Sequence, residues 1–176
     1  MARPRWVVLF ARLKWTAPFA AVIFGMFPAV NLKSDPIGQL SGARGDYILN
    51  CGGCHGFHGV SNARLVPSLK DLVGYYLWIP EGRAYLPRLP NVAFSTLDDR
   101  KLAAVLNYVV FDIGANSAPI GAKRYTAAEV GRWRKQPLDY VALSAYRLQL
   151  VQALINKHQA PAELLTYGQD LPQQLN

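Results

Sequence analysis

The only two cysteines of this 176-residue chain stand three positions apart and are followed at once by a histidine, in Cys51-Gly52-Gly53-Cys54-His55. Residues at i and i+3 share a face of a helical turn, so two thiols project side by side with an imidazole next to them. Three uses of such a set are weak. In an exported chain an even cysteine count invites a disulfide, yet a C-x-x-C bridge closes a tiny loop and constrains little. A zinc site needs four ligands, and would have to recruit His58 and His158 while using the adjacent Cys54 and His55 together. A thioredoxin-like dithiol follows an apolar strand, whereas Cys51 follows the polar, helix-compatible Gly45-Asp46-Tyr47-Ile48-Leu49-Asn50.

A C-x-x-C-H run is also the attachment signature of c-type haem. Each thiol adds to one vinyl group of the porphyrin, and the next side chain offers its imidazole to the iron. The motif thus predicts Cys51 and Cys54 as covalent tethers, His55 as the proximal iron ligand, and one haem c as cofactor. Gly52 and Gly53 lack side chains that would keep the macrocycle away from the backbone.

The stretch YILNCGGCHGFHGVSNARLVPSLKDLVG extends the pattern and resembles the first half of a class I, single-haem cytochrome c. In that family the helix ending in N-C-x-x-C-H-G is followed by a glycine and then a proline in the proximal loop. The matching positions are Asn50, Gly56, Gly59 and Pro67. The resemblance implies that the Pro67 carbonyl accepts the Nδ1 proton of His55, leaving Nε2 for iron. The run from Leu97 to Val109 is similar to the family's closing helix. Asp98 suits its N-cap, and Leu102, Val105, Leu106 and Val109 share one face, expected to pack on the first helix and the haem edge. The resemblance spans roughly residues 39 to 112.

The distal side departs from the family, which takes a methionine from the loop before the closing helix. The only methionines here are Met1 and Met26, and the corresponding loop reads GRAYLPRLPNVAFSTL. His58 lies too near His55 in sequence to reach the other face of the ring. His158 reaches it only if the C-terminal extension folds back, and Lys101, Tyr85 and Asn91 are chemically possible. A five-coordinate or water-bound iron is the leading expectation, with Leu86, Leu89, Val92 and Phe94 forming either an apolar distal pocket or plain core. Arg83 and Arg88 are candidates for a propionate contact, a distal role or a solvated surface.

Arg3, Arg5, Arg12, Lys14 and Lys33 all precede the first acidic residue, Asp35. The formal +8 therefore shrinks to +3 beyond that point, which argues against nucleic acid as the partner. A basic start followed by the uncharged Thr16–Leu32 is the layout of a signal peptide or signal anchor over residues 1–34. Seventeen residues span roughly 26 Å as a helix, slightly less than the hydrocarbon core. The remaining chain is expected on the extracytoplasmic, periplasmic side of the membrane.

Beyond the haem domain of residues 35–112, a helical extension is expected over 113–176. Thr126 and Glu129 form a T-x-x-E capping box opening one helix, which Pro137 ends. A second helix follows from about Leu138 to Lys157, with Val141, Leu148, Val151, Leu154 and Ile155 as its apolar stripe. The stretch from Gln159 to Asn176 is polar and expected to fray. Arg132, Arg134 and Lys135 are a candidate docking cluster, set against the plainer reading of a solvated face. The whole is read as all-α: a small cytochrome c-like domain with a signal or anchor helix and a C-terminal helical extension. The expected function is one-electron transfer as subunit or partner of a periplasmic dehydrogenase or respiratory complex. The alternatives are a five-coordinate haem protein that binds peroxide, nitric oxide or carbon monoxide, a structural subunit, and a thiol-disulfide oxidoreductase.

Overall fold

The computed structural model describes residues 36–61 and 66–166. The segment 1–34 with its Thr16–Leu32 core, and the end of the tail from residue 167, lie outside the described residues. Among those described, the chain is all-α, without strands, and no helix is long and apolar enough to cross a membrane.

Helix α1, Pro36–Asn50, buries Ala43 and Tyr47 one turn apart. Its hydrogen-bond ladder runs on, as the Cys51 amide donates to the Tyr47 carbonyl (2.8 Å). A single turn, α2 (Gly52–His55), follows and stops at Gly56, whose φ of 73° is the left-handed conformation a glycine adopts without strain.

After a loop and a 3-10 segment, Val73–Trp78, the chain forms α3 (Pro80–Arg88) and α4 (Pro90–Ala93). The sequence reading has a loop here. Pro80 and Pro90 occupy the first helical position, where the missing amide costs nothing. Pro87 sits inside α3 and withholds the donor that the Arg83 carbonyl would use. The Tyr125 hydroxyl, arriving from the extension, donates to that carbonyl instead (2.7 Å). A proline that reads as a helix breaker is thus accommodated by a residue 38 positions later.

Helix α5, Asp99–Tyr108, starts as expected: the Asp98 carboxylate accepts from the Lys101 amide (2.8 Å), which holds its pKa below the usual value. Leu102, Val105, Leu106 and Val109 are buried. The helix packs on α1, with the Tyr47 and Tyr108 rings 5.6 Å apart. It then widens into a π-turn, Val109–Ile113.

The extension is bound tightly to the body. In the connector, Ser117 is buried; its hydroxyl accepts from the Gly74 amide (2.9 Å), and its carbonyl accepts from the Trp78 indole (2.9 Å). Asn107 brackets Tyr125, accepting from its amide and donating to its carbonyl. Helix α6, Ala127–Arg134, has the expected cap from Thr126 to the Glu129 amide (3.1 Å). The other half of the capping box is replaced, because the Glu129 carboxylate forms a two-point ion pair with Arg83 (2.7 and 2.8 Å).

Helix α7, Tyr140–His158, begins two residues later than expected, where Asp139 caps the Val141 amide. Leu150, Val151 and Leu154 are buried and Ile155 packs against the core, but Val141 is 92% exposed and Leu148 40%. The stripe is real only in the second half of the helix. Residues 159–166 do not fray: Ala160 and Leu164 are buried, and the Leu164 carbonyl accepts from the buried Arg147 (2.8 Å). Ala160 and Leu164 join the core cluster that also holds Leu150, Val151 and Leu154, which a mean polarity conceals.

Candidate haem-attachment site

The site is built where α1 ends. Because the Cys51 amide completes the α1 ladder, the His55 amide can bond back to the Cys51 carbonyl (2.9 Å), setting 51–55 on one tight turn. Both cysteines are free thiols, Cys51 half-buried and Cys54 exposed. Burial first, and then Cys54 beside it, raises the Cys51 pKa. The C-terminal end of α1 carries partial negative charge, which also disfavours a thiolate.

His55 is half-buried, and its Nδ1 lies 3.0 Å from the Pro67 carbonyl. A carbonyl can only accept, so Nδ1 bears the proton and Nε2 keeps the lone pair. Burial lowers the His55 pKa, with the Pro67 bond acting in the other direction. The glycines behave differently from one another. A side chain at Gly53 would meet open space, whereas Gly52 is covered by the Phe57 ring, 3.1 Å from where a Cβ would stand. Three apolar side chains near the motif are exposed: Leu49 at 83%, Phe57 at 61% and Val60 at 49%.

Tyr47 completes the site and was not singled out by the sequence. It is fully buried, and its hydroxyl donates to the Gly56 carbonyl (2.7 Å), tying the end of the motif turn back to α1. Burial pushes its pKa up to about 12. Its partner is a backbone oxygen, which leaves no trace in a pattern of side chains.

The candidates for the distal side are dispersed. Tyr85 is buried and stacked on Tyr76 (5.2 Å). Lys101 faces Asp46 (3.9 Å), Asn91 accepts from the Tyr140 hydroxyl (3.3 Å), and His158 lies against the Trp78 ring (5.5 Å). His58 is exposed. Leu86 is core and Leu89 and Val92 pack against it, but Phe94 is 68% exposed, so the four do not form one dry wall. Arg83 is held by Glu129 and by the Lys123 and Arg124 carbonyls, and Arg88 by the Gln136 carbonyl. The basic cluster also divides. Arg134 turns inward onto the Ala93, Ser95 and Leu97 carbonyls, while Arg132 lies over the Trp133 ring and Lys135 is exposed.

Two adjacent thiols and an imidazole with one nitrogen already committed suit a group needing two thioether tethers and one nitrogen ligand. They do not make a four-ligand zinc site, and among the described residues no three His, Cys, Asp or Glu side chains gather to hold a metal ion. Compared with family models, curated proteins and solved structures, the chain finds no match.

Proposed function

We propose that the chain is an extracytoplasmic c-type cytochrome that transfers single electrons, as subunit or partner of a dehydrogenase or respiratory complex. The observation that carries this reading is the His55–Pro67 bond, in a turn that also presents two free thiols. Haem c held there supplies a one-electron couple. Cys51 and Cys54 hold it by thioethers, and His55 Nε2 is the iron ligand. The Pro67 carbonyl fixes the imidazole tautomer and raises its basicity. Leu49, Phe57 and Val60 give the motif an apolar rim suited to a protein partner. Burial, with Cys54 beside it, favours the protonated Cys51 thiol, which counts against Cys51 as the attacking thiolate of a disulfide exchange.

A second reading, binding of peroxide, nitric oxide or carbon monoxide, is favoured by one observation: Tyr85, Lys101, Asn91 and His158 are each engaged with other side chains. Optical and electron paramagnetic resonance spectra of the purified protein separate the two. A six-coordinate, low-spin signal supports electron transfer. A high-spin ferrous form that takes up carbon monoxide rapidly supports ligand binding, and a protein that gives no haem stain on a denaturing gel contradicts both.

A further inference from the structure

We infer that Gly59 and Ile113 form a brace that sets the His55–Pro67 hydrogen bond, so that a residue of the π-turn, 58 positions after the histidine, tunes the imidazole. The inference rests on the haem reading and extends it to residues outside the motif.

The loop after the motif returns to its start at one point. The Gly59 carbonyl accepts from two amides, Leu69 (2.7 Å) and Lys70 (3.1 Å), just beyond Pro67. The next amide, Asp71, donates to the Ile113 carbonyl (3.1 Å). Gly59 has a φ of 75°, and a Cβ there would collide with Ile113 Cγ2. Ile113 therefore touches both limbs of the loop, one through its side chain and the other through its carbonyl. Its own position is fixed by the π-turn, closed by the Gly114 amide on the Val109 carbonyl (2.8 Å). From the brace to Pro67 is two residues, and from Pro67 to His55 is one hydrogen bond. A shift at Ile113 thus moves the acceptor that makes the imidazole a stronger electron donor.

A more basic axial imidazole favours the oxidised iron, so slackening the brace raises the reduction potential. In the haem-loaded protein, Ile113→Ala is expected to change the oxidised-to-reduced ratio at fixed potential about threefold. That is an upward shift of about 28 mV, taking 59 mV per tenfold for one electron. The His55 Nδ1 proton, followed by nuclear magnetic resonance, should also exchange faster with solvent. Leu154→Ala empties a comparable volume in α7, at a residue that makes neither the Gly59 contact nor the Asp71 hydrogen bond, and should move neither readout. If Ile113→Ala does not fold, Ile113→Leu, which keeps the volume but lacks the Cγ2 methyl that meets Gly59, should shift both readouts in the same direction by less than twofold.

A potential and exchange rate unchanged from the parent in the folded Ile113 variant, or an equal shift in Leu154→Ala, overturns the brace while leaving the haem reading intact. Absence of haem stain from the parent protein removes the haem reading and the brace with it.

Discussion

Between Asn50 and Asp71 the described chain is fixed mainly through its backbone: Tyr47 reaches the Gly56 carbonyl, Gly59 takes two amides, and Pro67 receives His55. From Lys123 to Leu138 it is fixed by charged side chains, with Arg83 on Glu129 and two carbonyls, Arg88 on a third, and Arg134 reaching back to three more. Holding a turn by its backbone leaves its side chains available, and here those are two thiols and a ring nitrogen. Spending the guanidinium groups on carbonyls does the reverse, making a region rich in basic residues structural. The difference teaches that a basic residue need not mark a binding face: Arg83, Arg88 and Arg134 are internal wiring, whereas the thiols and imidazole proposed to hold haem stand on a glycine-rich turn.

Perturbing each region should separate the two kinds of attachment. The largest effect is expected from Cys51→Ala combined with Cys54→Ala, which should abolish covalent haem on a denaturing gel. In the extension, Arg134→Met removes charge-assisted bonds to the Ala93, Ser95 and Leu97 carbonyls and the contact with Asp99. It should lower unfolding stability by about 2–3 kcal/mol in denaturant titrations, allowing for partial rehydration of the carbonyls, while haem staining persists. A loss of haem with no loss of stability would reverse the assignment of the two regions.

Tyr47→Phe leaves the Gly56 carbonyl without its buried donor and should cost about 1–2 kcal/mol. Because the folded-state pKa is raised above the ordinary value, the tyrosine's contribution is complete below pH about 10 and is lost as pH climbs toward 12. Alkaline titration of stability should therefore be flatter in the variant over that window. Thr126→Ala should cost about 1 kcal/mol through the lost α6 cap. Val141→Ser, on the exposed half of α7, should stay within about 0.5 kcal/mol of the parent.

Much of this architecture was legible because it obeys local rules. The cap at Asp98, the buried face from Leu102 to Val109 and the start of α6 at Thr126 follow from residues within one or two turns of each other. What escaped depends on partners distant in sequence. Helix α3 survives Pro87 through Tyr125, Glu129 abandons its capping box for Arg83, and Tyr47 answers a carbonyl. The apolar stripe of α7 failed at Val141 and Leu148 because periodicity marks a face without saying whether anything covers it. Within the candidate site, the contact of His55 with Pro67 is the one the resemblance implied, whereas Gly59 and Ile113 meet only in three dimensions.

The most direct test of the haem assignment is the intact mass of the purified protein, followed by mapping of the peptide that contains residues 51–55. The account predicts the mass of the mature polypeptide plus one protohaem, with the added mass confined to that peptide and carried by both thiols. A mature chain at its bare polypeptide mass, with Cys51 and Cys54 open to alkylation, would contradict it.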